Sequence, residues 1–89
     1  MLRRNVIPKI ENIDHLTQLE ELELYDNKLR KIEGLDKLVN LKMLDLSYNI
    51  IKKVENLDNL QNLRILYLVE NQFKKVIYIN TIITIIITI

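Results

Sequence analysis

The 89-residue sequence contains no cysteine, no tryptophan, one glycine and one proline. Without cysteine the chain can form neither disulfide bonds nor thiolate metal sites, which is the usual pattern in a reducing compartment. The single glycine excludes a glycine-rich loop that binds phosphate, and no serine or cysteine nucleophile accompanies the single histidine, His15. We therefore expect no enzyme activity, no metal and no cofactor, and we expect the chain in the nucleus or the cytoplasm.

Charge is nearly balanced, with 13 basic and 12 acidic residues and a net charge of +1. Bulk charge therefore favours neither nucleic acid nor an anionic membrane as a partner. The basic amino terminus is not followed by an apolar segment, so we do not expect a signal peptide. The local exception is a stripe of basic doublets. RNA or an acidic protein is an alternative partner that this stripe would contact. The doublets are Arg30-Lys31, Lys52-Lys53 and Lys74-Lys75.

The most informative feature present is a repeat of 22 residues. Asparagines recur at this interval, and apolar residues stand three before, two after and five after each of them. Such a period predicts stacked copies of one small unit, each of which buries its apolar face against its neighbours. The asparagines are Asn5, Asn27, Asn49 and Asn71. The apolar residues are Leu2, Leu24, Leu46 and Leu68, then Ile7, Leu29, Ile51 and Phe73, then Ile10, Ile32, Val54 and Val76.

A short strand is predicted in each repeat. Leu22 and Leu24 alternate with Glu21, Glu23 and Tyr25, which is the period of a strand with one buried face. The leucines are expected to point inward and the other three side chains outward. Parallel pairing of the equivalent strands would collect the outward positions on one surface.

A turn is expected after each strand, at the asparagine. An asparagine amide both donates and accepts hydrogen bonds, so the four asparagines are predicted to form a structural ladder bonded to backbone groups. Beyond the turn, apolar residues recur every three positions, which is the spacing of a 3₁₀-helix. The predicted class is α/β, a short horseshoe-shaped solenoid with parallel strands on its concave face and 3₁₀ or irregular turns on its convex face. The residues at this spacing are Leu29, Ile32, Leu35, Leu38 and Leu41.

The pattern as a whole resembles leucine-rich repeats of the 22-residue type with an Ile-Glu turn, from Leu2 to about Ile79. The resemblance implies a non-catalytic module that binds another protein. It also implies a division of residues 2–81 into one partial and three full repeats, followed by an isoleucine- and threonine-rich tail that is either an improvised strand or disordered. The partial repeat is 2–15, the full repeats are 16–37, 38–59 and 60–81, and the tail is 82–89.

Three segments are more particular than the repeat requires, and they run from Leu24 to Asn27, from Leu44 to Asn49 and from Leu66 to Asn71. In this order they are similar to successive early repeats of the nuclear regulatory subunits of protein phosphatase 1, of the regulatory subunit 7 type. This similarity implies that the catalytic subunit of the phosphatase is the partner. It also implies that the contacts include the residue between the two inward leucines of each strand, which is Glu23, Asp45 and Tyr67.

Two other interpretations stay open. Adaptor proteins with the same repeat, of the axonemal dynein light chain type or the U2 small nuclear ribonucleoprotein A′ type, would hold a partner helix in the concavity. The chain would otherwise be a truncated fragment without independent function, because the phosphatase regulators have more repeats and a carboxyl-terminal cap. Self-association through uncapped ends is a further expectation.

The candidate partner-binding surface consists of the outward positions of the three full repeats. Every charged residue on it is acidic, which favours a partner with exposed lysine or arginine. The surface changes from acidic to apolar along the stack, and an exposed apolar row suggests a protein contact. The nine residues are Glu21, Glu23, Tyr25, Met43, Asp45, Ser47, Ile65, Tyr67 and Val69.

The tail from Val76 to Ile89 has no charged residue and eight isoleucines, a composition typical of aggregation-prone segments. Its 14 residues are fewer than the roughly 20 that span a bilayer, which disfavours a membrane anchor. Its apolar positions continue to Ile85, but Thr88 takes the next one. We interpret the tail either as a strand over the last repeat or as a translated non-coding end.

Overall fold

The computed structural model describes residues 6–71, 75–76 and 84–86. Within these ranges the chain forms six short strands connected by turns and loops. The strands are β1 (Glu21–Glu23), β2 (Met43–Asp45), β3 (Lys53–Val54), β4 (Ile65–Tyr67), β5 (Lys75–Val76) and β6 (Thr84–Ile86). Asn5 of the predicted ladder lies outside the described residues, and so do residues 2–4, 82–83 and 87–89 of the predicted partial repeat and tail.

The main sheet is parallel, with strand order β1-β2-β4-β6. Leu22 pairs with Leu44 and Leu44 with Leu66, so equivalent residues of successive repeats stand side by side. The pairing continues past β1, because the Leu24 amide donates to the Asp45 carbonyl at 2.8 Å and the Asp26 amide to the Ser47 carbonyl at 3.0 Å. These parallel strands agree with the predicted repeat fold.

The last strand of the sheet departs from the 22-residue period. β6 pairs with β4 so that Leu66 faces Ile85, which is 19 residues further along the chain. The period would have placed Thr88 in this row. Because the strand comes three residues earlier, Ile85 and not Thr88 takes the register position beside Leu66.

The other side of each repeat is built from turns. Leu38 donates its amide to the Leu35 carbonyl at 3.0 Å, and Leu41 donates to Leu38 at 3.1 Å. The repeats before and after contain the same pair of bonds. Each bond spans three residues, as in a 3₁₀-helix, but the bonds occur singly, and no helix is assigned anywhere in the described ranges. In the described ranges the predicted 3₁₀ or irregular turns are thus single turns, and the parallel strands are consistent with the predicted leucine-rich-repeat fold.

The core is a continuous apolar cluster that runs through the stacked repeats. The members of this cluster are all 7% exposed or less, and burial of each such side chain contributes about 1.5 to 3 kcal/mol. At the start of the stack the residues at the three-residue spacing are more open, with Ile13 and Leu19 half-buried and Leu16 37% exposed. The cluster consists of Ile10, Leu22, Leu24, Leu29, Ile32, Leu35, Leu38, Leu41, Leu44, Leu46, Ile51, Val54, Leu57, Leu60, Leu63, Leu66 and Leu68.

The asparagine after each strand connects two repeats. The Oδ1 atom of Asn49 accepts a hydrogen bond from the Leu29 amide at 3.1 Å. Its Nδ2 atom donates to the carbonyls of Leu24, Leu46 and Ser47 at 3.1, 2.9 and 3.1 Å. Buried backbone groups need such partners, because an unpaired one costs about 1 to 3 kcal/mol. Asn49 therefore satisfies the backbone of its own turn and of the preceding repeat.

Asn27 and Asn71 repeat this arrangement. Asn27 accepts from the Ile7 amide at 3.2 Å, and Asn71 accepts from the Ile51 amide at 3.0 Å. Both donate to carbonyls at the end of their own strands. Asn71 also donates to the Leu46 carbonyl of the preceding repeat at 2.9 Å.

Two rows of residues with positive φ bend the backbone within the repeats. The first row is Asn12, Gly34 and Asn56, and the second is Asp26, Tyr48 and Glu70, with φ between 56° and 72°. At Gly34 a Cβ atom would lie 2.6 Å from the Ile10 carbonyl oxygen. One period later, the Asn56 side chain donates to the corresponding carbonyl, that of Ile32, at 2.7 Å. Glycine at position 34 therefore accommodates both the positive φ and the close approach of Ile10 without strain, whereas asparagine adopts the positive φ at the equivalent positions 12 and 56.

We expect Asn49→Ala to lower the free energy of unfolding by about 2 to 4 kcal/mol, because the buried Leu29 amide loses its acceptor. The matched control is Asn40→Ala, which removes one exposed hydrogen bond, to the Thr17 carbonyl at 2.8 Å, and should cost less than about 1 kcal/mol. Urea denaturation of both variants measures the difference. Equal losses would contradict the structural role of the asparagine ladder.

We expect Gly34→Ala to lower the free energy of unfolding by about 1 to 3 kcal/mol, because it adds left-handed strain and displaces Ile10. Lys37→Ala, an exposed substitution in the same repeat, should change it by less than about 0.5 kcal/mol. Thermal or urea unfolding gives both values. A Gly34→Ala protein as stable as the wild type would show that this turn tolerates a side chain.

Candidate functional site: the exposed face of the main sheet

The outward positions of β1, β2 and β4 form one surface, which we call the sheet face. Along each strand a buried leucine separates two residues that are half-buried or exposed. The period of two along a strand directs alternate side chains to opposite sides of the sheet. The sheet face consists of Glu21, Glu23, Met43, Asp45, Ile65 and Tyr67.

The register arranges the sheet face in two rows across the strands. Glu21, Met43 and Ile65 form one row, and Glu23, Asp45 and Tyr67 form the other. Neighbouring residues in a row belong to strands about 4.8 Å apart. Both rows change from acidic at β1 to apolar or aromatic at β4, and none of the six residues is basic.

Asp45 lies at the centre of its row and is half-buried. Its Oδ1 atom accepts a hydrogen bond from the Ser47 amide at 3.0 Å. One oxygen of the carboxylate is thus used in the turn after β2, and this bond restricts the orientation of the side chain. A restricted carboxylate beside an aromatic residue suits recognition of a cationic group.

Ser47 was predicted on the partner-binding surface, but it is only 4% exposed. Its Oγ atom accepts a hydrogen bond from the Val69 amide at 3.1 Å. The reason is that the turn after β2 brings the small side chain against the next repeat. Ser47 therefore joins two repeats, and it presents almost no surface to a partner.

Two aromatic residues stand at the edge of the sheet face, beyond the ends of β1 and β2. The rings of Tyr25 and Tyr48 are 5.1 Å apart at their centroids and are tilted by 56°. Tyr25 and Val69 were predicted for this surface and are half-buried, whereas the 45% exposed Tyr48 was not. The sequence does distinguish Tyr48, because acidic residues, Asp26 and Glu70, occupy the same position in the neighbouring repeats.

Two features that would support other functions, a metal site and a membrane-spanning helix, concern the same residues. In the described part of the chain, no three histidine, cysteine, aspartate or glutamate side chains lie close enough to hold a metal ion. Nor do residues 6–71, 75–76 and 84–86 include a helix with the length and apolar character to cross a membrane. The features that remain at the site are its shape, its acidic groups and its tyrosines.

The repeat pattern matches a known protein family. A family model described as leucine-rich repeats, in two copies, matches residues 39–84, which is just over half of the chain. This range includes β2, β3, β4 and β5. No curated protein matches the chain.

Substitutions at two adjacent residues of β4 test which face of the sheet is exposed to solvent. We expect Leu66→Ala to lower the free energy of unfolding by about 3 kcal/mol, because it leaves a cavity in the core. Ile65→Ala should cost less than about 1 kcal/mol, because Ile65 is 37% exposed and Leu66 is 0% exposed. Urea denaturation of the two variants measures this contrast. Equal losses would contradict the assignment of Ile65 to an open face.

Proposed function

The chain belongs to the leucine-rich repeat family, and on that basis we propose that it is a non-catalytic module that binds another protein through the sheet face. Leucine-rich repeats generally mediate binding between proteins, and this coarse function follows from the family. Protein phosphatase 1, through its catalytic subunit, is the partner that we propose.

The observation that carries the proposal is the row formed by Glu23, Asp45 and Tyr67. The three residues come from three different repeats and stand in register across the sheet. These are the positions that the similarity to phosphatase regulators implies as contacts. Two carboxylates followed by an aromatic residue would match a partner surface that carries a basic group next to an apolar one.

The composition of the whole sheet face supports the same conclusion. Ile65 is a large apolar side chain that is 37% exposed, and Met43 and Tyr67 are half-buried beside it. Aromatic residues and methionine are enriched in protein interfaces, where they contribute much of the binding energy. The acidic residues at β1 and β2 would contribute more to the choice of partner and to the association rate.

We expect the wild-type chain to retain the purified phosphatase 1 catalytic subunit in a pull-down, and the double variant Asp45→Lys, Tyr67→Ala to lose it by roughly tenfold or more. The matched control is Asp58→Lys, Val39→Ala. It makes the same change in charge and also removes a large side chain, at two exposed positions outside the sheet face. The control should bind like the wild type.

A second double variant separates binding from folding. Asp45→Asn, Tyr67→Ala keeps an oxygen that can accept the Ser47 amide, so its turn should remain intact. Circular dichroism and a cooperative melt establish that each protein is folded. A folded wild type that does not bind the catalytic subunit excludes the phosphatase as partner, and recovery of a different protein by unbiased co-purification would then favour an adaptor role.

A further inference from the structure

A basic cleft lies away from the sheet face, between the loops that follow Asn27 and Asn49. Its volume is about 390 Å³. Four exposed cationic side chains and two half-buried carboxylates line it. These residues are Arg30, Lys31, Lys52, Lys53, Glu33 and Glu55.

The cleft lies where the small second sheet stops. Lys53 and Val54 in β3 pair with Lys75 and Val76 in β5. The equivalent residues one period earlier, 31 and 32, are not part of a strand. The two loops are linked there by the Ile50 amide, which donates to the Leu29 carbonyl at 2.9 Å, and by the Asn56 side chain, which donates to the Ile32 carbonyl at 2.7 Å. A gap between the loops is therefore part of the fold.

The cations in the cleft are only partly neutralised. Lys53 lies 3.4 Å from Glu55 in an ion pair that is partly open to solvent. The register of β3 and β5 also places Lys53 next to Lys75. An anion bound in the cleft would neutralise more of the positive charge of its four cations.

We propose that the basic cleft binds an acidic segment of another protein, in addition to the partner of the sheet face. Arginine forms paired hydrogen bonds with carboxylates, and lysine adds point charge. Among the residues that the structure describes, none that lines the cleft is aromatic, whereas single-stranded nucleic acid is usually held by stacking of its bases on aromatic rings. The two glutamates also limit the positive charge of the lining, which favours a short acidic segment over a nucleic acid.

Fluorescence anisotropy with a labelled peptide of alternating aspartate and glutamate tests the proposal on the full chain at low salt. The cleft variant Arg30→Glu, Lys52→Glu should bind the peptide roughly tenfold more weakly, or worse, than the wild type. The matched control is Lys28→Glu, Lys37→Glu, which changes the net charge equally at exposed positions outside the cleft. The control should bind within about twofold of the wild type.

Three results would overturn the proposal. They are no binding by the folded wild type, an equal loss in the control, and tighter binding of a labelled oligouridylate through the same residues. If the cleft variant does not fold, amide chemical shifts of the wild type titrated with the peptide decide the question. Shifts confined to residues 30–33 and 52–56 support the cleft, and shifts centred elsewhere exclude it.

Discussion

The hydrogen bonds of the buried asparagine amides are the interaction on which the rest of the structure depends. Each repeat must reverse direction within a few residues after its strand, and such a turn leaves backbone groups that regular pairing does not satisfy. Asn49 bonds four of these groups with one side chain, and they belong to two repeats. The turn and the stacking of the repeats are thus stabilised by the same atoms.

The two surfaces of interest follow from this stacking. Because every position is repeated at a nearly constant interval, equivalent residues of successive repeats fall into rows across the strands, and charges of one sign can collect at one place in the stack. The sheet face is acidic at β1 and β2, and the basic cleft has four cations. A chain with a net charge of +1 therefore has surfaces of opposite sign, which bulk composition does not reveal.

Backbone strain accompanies the same geometry. Glycine adopts positive φ easily, and asparagine and aspartate adopt it at modest cost. These three residue types together hold four of the six positions with positive φ in the described ranges. Tyr48 and Glu70 are less suited to this conformation. At Tyr48 the ring contact with Tyr25 offsets part of the cost, and it keeps an aromatic side chain at the edge of the sheet face.

Much of the fold could be predicted because the sequence repeats its own pattern. The inward leucines such as Leu22 and Leu44 are indicated by strict alternation, and the outward residues Glu21 and Glu23 follow from it. The burial of Ser47 could not be predicted in this way, since alternation assigns an outward position but not how closely the next repeat approaches it. The paired single turns have the same apolar spacing as a 3₁₀-helix, so that spacing alone does not separate the two.

The site was less predictable than the fold for a related reason. Tyr48 lies outside the strand, in a turn whose direction depends on a positive φ that tyrosine rarely adopts. The basic doublets were visible in the sequence, but the gap between their loops depends on where β3 begins and on the bond from Asn56. The 22-residue period did not predict the position of β6 either, because that position depends on which residue of an isoleucine-rich segment pairs with β4.

The bonds from each asparagine to a neighbouring repeat point in one direction along the chain. The Oδ1 atoms of Asn27, Asn49 and Asn71 accept from residues 20 positions earlier. The Nδ2 atoms of Asn49 and Asn71 reach carbonyls 25 positions earlier. A repeat is thus completed by the one that follows it. During synthesis from the amino terminus, the Leu29 and Ile51 amides therefore gain these acceptors only after the next asparagine has emerged from the ribosome.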